Sequence, residues 1–371
     1  MQFQIKRDTL LKSLNFAHNI IERKNTLPIL SNVLIEAKDN KLSIVATDLD
    51  IVFYDEISDL KIIQDGSTTT SATVLHDLLR KLPSNLDVVF NLKDQNKLSI
   101  SAENSKFNLL CLPVNNFPNF SDNFETQPIK LDKKKFLSLL NKTRISMSSD
   151  ETRHYLNGIF LHITESNGKS YMTGVATDSH RLSSCSMEIE NSAKFKSFIL
   201  PKKTVFQLCS LLESSSENIS LLTGDTKIQF KIANSKITSK IIDGKFPDYQ
   251  KVVPKSNSKT LQVNSKDLIN SVERVTTVSI DRKEGVKLTL EKDNIQLFVN
   301  SSSSGEGKET IKANYNSDQL TISFNSRYLL DIVSEIEDAS ITMKLNDAVS
   351  PVLILDKTDN QSYFVIMPMK I

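Results

Sequence analysis

Along residues 226–232 (TKIQFKI), Ile228, Phe230 and Ile232 alternate with Lys227, Gln229 and Lys231, so one extended segment carries an apolar and a polar face. That period of two predicts a half-buried antiparallel strand. The same alternation runs through Leu98, Ile100 and Ala102, through Leu320, Ile322 and Phe324, and through Ile341, Met343 and Leu345. Elsewhere the period is helical: SATVLHDLLRKL from Ser71, KKTVFQLCSLL from Lys202 and NSRYLLDIVSEI from Asn325 each predict an amphipathic helix.

Those three helical phrases are copies of one another, and a second phrase also recurs three times. QFQIKRDTLLKSL (2–14), PIKLDKKKFLSLL (128–140) and TLQVNSKDLINSV (260–272) each join a short apolar strand to a helix across a polar break. Ile5, Leu131 and Val263 fall in register, as do Leu10, Phe136 and Leu268, then Leu11, Leu137 and Ile269, then Leu14, Leu140 and Val272. Two phrases repeated in one order predict three copies of one α+β domain, each long enough to bury its own core. Polar stretches ahead of the second and third copies (DNFETQP and PKSNSK) place the domains at 1–127, 128–258 and 259–371.

The formal charge of +2 on 371 residues means that any nucleic-acid role depends on where the bases sit, not on their total. Lys133, Lys134, Lys135, Lys142 and Arg144 surround an apolar stripe in the second copy; Arg7, Lys12, Arg23 and Lys24 decorate the matching first-copy helix. Arg80 and Lys81, with Lys202 and Lys203, mark the other helices. A charge run on one helix is ordinarily a solvated face. Recurrence on equivalent helices instead predicts a shared positive surface that follows phosphates without reading bases. Cys111, Cys185 and Cys209 are far apart and odd in number, which predicts a reducing, cytoplasmic setting without disulfides. No apolar run approaches the roughly 18 residues of a membrane span, and the N-terminus lacks a signal-like stretch.

Signatures of catalysis are missing from the sequence. Nine glycines form neither a GxxxxGK[ST] loop nor a GxGxxG turn, and the five histidines show no metal-ligand spacing. Asp178, Ser179 and His180 are consecutive, whereas a triad converges from separate elements. Asp48 and Asp178 occupy equivalent ATD phrases, where an Asp at a strand end is expected to cap backbone N–H groups. Neither a catalytic residue, a metal nor a cofactor is assigned.

The remaining phrases are TLPIL (26–30), ATDLD (46–50), LPVNNFPNF (112–120), RHYLNGIF (153–160), VATDSHRLS (175–183), IDGKFPDYQKVVP (242–254) and VIMPMKI (365–371). In this order and spacing they resemble the bacterial DNA polymerase III beta subunit family, the sliding clamps, over the whole chain. The resemblance implies the DNA clamp fold: three similar domains per chain, antiparallel sheets outside and two helices inside each, closed head to tail into a ring-shaped homodimer. It implies a non-catalytic processivity subunit that encircles duplex DNA without sequence specificity and docks the polymerase III catalytic subunit, the clamp loader and other replication and repair proteins. A metal-dependent nuclease using the ATD phrases and a protein-only scaffold are the competing expectations.

Carried over residue by residue, the family's partner-peptide groove falls on Leu156, Thr177, Ser179, His180, Arg181, Leu182, Pro247, Lys251, Val252, Val349, Pro351, Val365, Ile366, Met367, Pro368, Met369 and Lys370. Leu, Val, Pro and Met suit an adaptable apolar pocket. DNA contacts are implied at Lys24, Arg80, Arg153, His154, Tyr155, Lys202 and Lys203. Lys24 stands where the family often has Arg, His154 and Tyr155 where two aromatics are usual, and Pro351 where a small polar residue is. Phe107 and Val278 are implied at the dimer boundary. Thr73 and Val74 replace basic residues there, and Glu306 alone represents the acidic partners in 301–307. An interface of apolar contact and strand pairing, weakly dependent on salt, is the expectation.

Overall fold

The computed structural model describes residues 1–22, 26–94, 96–120, 124, 126–190, 195–279 and 285–370. Among them are six α-helices: α1 (Arg7–Ile20), α2 (Ala72–Lys81), α3 (Lys133–Arg144), α4 (Lys202–Ser214), α5 (Ser265–Thr276) and α6 (Ser326–Ser334). Each repeated phrase of the sequence begins one. In the first set, α1, α3 and α5 follow the strands Gln2–Lys6, Ile129–Leu131 and Lys259–Asn264. The in-register positions behave alike: Leu10, Phe136 and Leu268 are buried, as are Leu14, Leu140 and Val272, while Leu11, Leu137 and Ile269 are all half-buried.

The helix starts are satisfied by repeated means. Asn264 and Asn325 cap α5 and α6 by accepting from Asp267 N–H and from Arg327 and Tyr328 N–H, and the Ser71 hydroxyl accepts from Val74 N–H of α2. The first N–H of α1 donates to the Leu86 carbonyl and that of α5 to the Ala339 carbonyl. In α3 the Asn218 side chain takes the equivalent place, 3.2 Å from Lys133 N. The loop after the second helix of a copy thus supplies the acceptor for the first. These orphan donors would otherwise cost the helix about 1 kcal/mol each.

The backbone falls into two compact units, Met1–Lys133 with Phe206–Ile241, and Lys134–Val205 with Ile242–Ile371. Among the described residues the first unit holds a 13-stranded sheet and the second holds sheets of nine and four strands. The division follows the sheets, not the sequence copies. Strand Ser235–Lys240 of the second copy pairs antiparallel with Ile51–Ile57 of the first, and Arg181–Glu188 pairs with Ser362–Ile366 of the third. The predicted strands bury their apolar faces as expected, but one polar position in each is buried as well: Ser99, Gln229, Ser323 and Thr342. At Gln229 the side-chain amide donates to Thr238 Oγ1 on the neighbouring strand at 3.0 Å. A satisfied amide is tolerated there.

Candidate functional site

The two ATD phrases fold into turns with the same hydrogen bonds. In the second unit, Thr177 Oγ donates to the Arg181 carbonyl at 2.7 Å, and Asp178 Oδ1 accepts from the N–H groups of His180 and Arg181, both at 2.9 Å. In the first, Thr47 and Asp48 do the same for Ile51 and Asp50. Leu49 and Ser179 both have φ near 78°, a left-handed conformation that costs a side chain roughly 1 kcal/mol. The turn's hydrogen bonds hold it. The expected capping role of these aspartates is what the structure shows, and among the described residues no cluster of His, Cys, Asp or Glu fit for a metal occurs.

Where the first turn has Ile51, the second has Arg181, and this guanidinium organises the site. It is buried, with Nε 3.1 Å from Asp178 Oδ2, Nη1 2.7 Å from Asp331 Oδ2, and its carbon 4.2 Å above the Tyr328 ring. Two carboxylates and an aromatic face compensate one desolvated charge. Burial, with the nearby Asp178 charge, pushes the Tyr328 phenol above its ordinary value. His180 stacks on the same ring at 6.3 Å. Tyr328 and Asp331 were not singled out from the sequence; α6 reads as an ordinary amphipathic helix until a buried arginine is seen to need them.

Beside this anchor lies an apolar well. Leu156, Val175, Leu182, Ile199, Phe246, Tyr249 and Val365 form one buried cluster, with Tyr155 and Phe160 packed against it. Phe160 stacks on Phe246 at 5.0 Å. Register then gathers the exposed groups at one end of the nine-stranded sheet. Arg181 pairs with Ile366 and Ile366 with Val352, so His180, Met367 and Pro351 stand side by side. The tail is pinned past its strand: Met367 N–H donates to the His180 carbonyl at 2.8 Å and Met369 N–H to the Ser323 carbonyl at 2.7 Å. Val252, Val349 and Met367 are exposed at 51%, 64% and 38%, apolar surface of the kind that marks a contact site where it is contiguous. Asp347 fixes the Val349 turn by accepting from Val349 and Ser350 N–H, and those bonds hold its carboxyl below the ordinary value. Pro247 and Lys251 are exposed on the segment around Tyr249–Val252, Lys251 reaching Asp248 at 3.1 Å. Thr177, Pro368 and Met369 are half-buried, and Lys370 is exposed.

The expected basic contacts distribute unevenly. Arg153, His154 and Tyr155 share the 3-10 turn Glu151–Leu156. Arg153 is held by Asp150 at 2.9 Å and by Ser179 Oγ at 2.7 Å, and the His154 ring lies 3.1 Å from the Asp243 carbonyl. Lys202 reaches Ser149 Oγ at 2.7 Å, and Lys203 follows it in the first turn of α4. Arg80 projects from the end of α2 beside Asp77; Lys24 lies outside the described residues. Three other bases read from the sequence as surface are committed elsewhere. Arg7 donates to the Leu79 and Arg80 carbonyls at the C-terminus of α2, Lys133 donates to the Ser215 carbonyl, and Lys142 is buried against Asp359 at 2.7 Å. Of the two boundary residues, Phe107 is 37% exposed on strand Ser105–Leu112 and Val278 packs against the core of the second unit.

The chain matches three family models, described as the N-terminal, central and C-terminal domains of the DNA polymerase III beta subunit, over residues 1–121, 130–248 and 250–370. It is 36% identical over 373 residues to the beta sliding clamp of Caulobacter vibrioides and 31% identical over 371 residues to that of Escherichia coli, each comparison covering 100% of both chains. A crystal structure of the Caulobacter crescentus beta sliding clamp covers 100% of this chain and 99% of its own at 36% identity and a TM-score of 0.95. That of the Bartonella birtlesii DNA polymerase III subunit beta, bound to griselimycin, covers 100% of both at 38% identity and 0.95.

Proposed function

The chain belongs to the DNA polymerase III beta subunit family, and from that premise we propose how its residues serve the function. It has the three-domain clamp fold and acts as a sliding clamp, a processivity subunit without catalysis; the nuclease and protein-only alternatives find no support. In this reading two chains close into a ring around duplex DNA in the cytoplasm, with domains at 1–127, 128–258 and 259–371. Lys24, Arg80, Arg153, His154, Tyr155, Lys202 and Lys203 face the phosphates. B-DNA presents about one charge per 1.7 Å of axis, so basic groups that touch phosphates and no base edges meet nearly the same energy at every step and let the ring slide. Lys202 and Lys203 sit at the start of α4, where positive charge opposes the helix dipole, so helix stability does not account for them.

Ring closure has its own support. Strand Ser105–Leu112 pairs with Lys97–Ala102 on one side, and its residues 105–110 lack a strand partner on the other among the described residues. Phe107 and Leu110 are exposed along it, Leu110 at 80%. Gly305–Lys312 is likewise an edge strand of the four-stranded sheet. Exposed edges invite pairing, and two different edges on one chain suit a head-to-tail contact that closes.

The observation that carries partner docking is the exposed apolar shelf of Val252, Val349 and Met367 beside a well anchored by Arg181. It would receive extended peptides with Leu and Phe anchors from the polymerase catalytic subunit, the clamp loader and repair proteins. The ring is tested by loading the protein onto nicked circular DNA with a clamp loader and then linearising the circle. Release on linearisation is expected; retention would exclude encirclement. The groove is tested with a labelled anchor peptide and a chain lacking residues 367–371. Affinity unchanged by that deletion would remove the tail from the site.

A further inference from the structure

The internal repeat gives the first unit a counterpart of the groove's apolar well. Strand Ile51–Ile57 pairs with Ser235–Lys240 so that Val52 meets Thr238, as Leu182 meets Val365 in the second unit. Lys240 N–H donates to the Asp50 carbonyl at 2.9 Å, the bond that Met367 makes to His180. The segment NFPNF (116–120) matches KFPDY (245–249), so Phe117, Pro118 and Phe120 stand for Phe246, Pro247 and Tyr249. Counted back from the ATD turns, Val45 stands for Val175 and, through the paired strands, Leu34 for Phe160.

The two wells differ in what lines them. Leu34 replaces Phe160, Val52 replaces Leu182 and Thr238 replaces Val365, each smaller or more polar than its counterpart. In the second unit the Phe160 ring stacks under Phe246. In the first, a cavity of about 250 Å³ opens beneath Phe117 and Phe120, lined by Leu34, Val45, Val52 and Tyr54. An apolar cavity of about 150 Å³ accommodates a benzene ring, so this one has room for a benzyl or isobutyl side chain. An apolar group that enters exchanges contact with water for packing against these side chains. Lys236, whose Nζ lies 4.5 Å from the centre of the Tyr54 ring, carries the one charge among the described lining residues.

We propose that this cavity is a second peptide-docking site, taking one aromatic or aliphatic anchor with a carboxylate beside it for Lys236. It rests on the reading of the second-unit well as a peptide groove, because the shared register argues that both receive the same class of ligand. The differences set its specificity. With Lys240, paired to Asp50 at 2.9 Å, in place of Met367, it has no methionine tail to wrap a longer peptide and holds a single anchor.

Equilibrium dialysis of the full chain with the labelled peptide Gly-Gly-Asp-Leu-Phe-amide counts the sites. Two peptides per chain are expected, falling to one in Val52→Trp, whose indole occupies the space between Leu34, Tyr54 and Phe120 with a ring that neither well carries. Its melting temperature should stay close to the parent's, because the cavity opens to solvent and takes the ring without displacing the core. Lys236→Gln should weaken this site alone by about threefold, the scale of one exposed ion pair. Binding that Val52→Trp leaves unchanged overturns the proposal, and if deletion of 367–371 then abolishes it the groove reading stands alone. Two sites that survive the deletion, with one lost on filling the cavity, uphold this site and overturn the tail's role in the groove. Absence of any binding overturns the proposal outright.

Discussion

Replacing Lys142 by Met tests whether the third copy is bolted to α3 by a buried charge. The Nζ group lies 2.7 Å from Asp359 and 3.3 Å from Glu337, and the lysine side chain is 4% exposed against 24% for Asp359 and 71% for Glu337. Glu337 is solvated and contributes little. Asp359 is not, and removing its cation leaves a largely buried carboxylate whose remaining partner is the Gln361 N–H. Breaking a buried pair from one side costs about 3–5 kcal/mol; the residual bond puts Lys142→Met near 3 kcal/mol, a melting-point drop of roughly 5 °C. Lys142→Met/Asp359→Asn removes both charges and should recover about half of that.

The pair also predicts a pH dependence. Burial raises the Asp359 pKa, but the Lys142 and Gln361 hydrogen bonds and the Lys142 charge outweigh it, leaving it below the ordinary 3.8. Its stabilisation is therefore complete above that value and lost as pH falls through the lowered one. Lys142 is held above its ordinary 10.5 because Asp359 and Glu337 overcome the effect of burial, so its share persists below 10.5 and is lost as pH rises through the raised value. Between pH 5 and 9 the term should be flat. Denaturant melts of the parent, both single variants and the double variant give the coupling energy directly. A coupling below about 0.5 kcal/mol, or a Lys142→Met loss that persists undiminished at pH 2, would refute the reasoning.

Three further outcomes follow from local geometry. A Cβ at Gly158 would lie 2.2 Å from the Leu200 carbonyl oxygen on the paired strand, so Gly158→Ala should destabilise by about 2 kcal/mol in denaturant melts. Burial, reinforced by Asp359, pushes the Cys185 thiol up to about 12, so it should resist iodoacetamide at pH 8 in the folded protein and react once unfolded, as mass spectrometry of the alkylated peptide would show. Dimer dissociation measured by ultracentrifugation should change less than about threefold between 50 and 500 mM salt; a steep slope would mean that ion pairs, not Phe107 and strand pairing, hold the boundary.

Much of the fold was legible because the period of burial is written into the chain three times. Ile5, Leu131 and Val263 occupy one environment, as do Leu14, Leu140 and Val272, since the same strand-to-helix geometry buries the same face. The capping Asp of each ATD phrase was equally readable, because an Asx turn depends only on residues three apart. The groove residues were legible as a set only through resemblance, each being an ordinary core or surface residue on its own. Gln229 was misjudged as solvent-facing, and Lys142 as part of a basic surface, for a common reason: their partners, Thr238 and Asp359, come from other strands and turns, and Asp359 lies 217 residues away.

By itself the sequence determined the local units: which segments alternate, which coil, where helices begin and that a domain recurs three times. These follow from side-chain periodicity and short-range hydrogen bonding, whose range is a few residues. Only tertiary structure decided that the second copy lends one sheet to the first and another to the third, that Arg181 and Lys142 turn inward to carboxylates from the third, and that the repeat of the apolar well opens into a cavity. Burying a charge or leaving a void depends on what the rest of the chain places alongside, and periodicity carries no record of that.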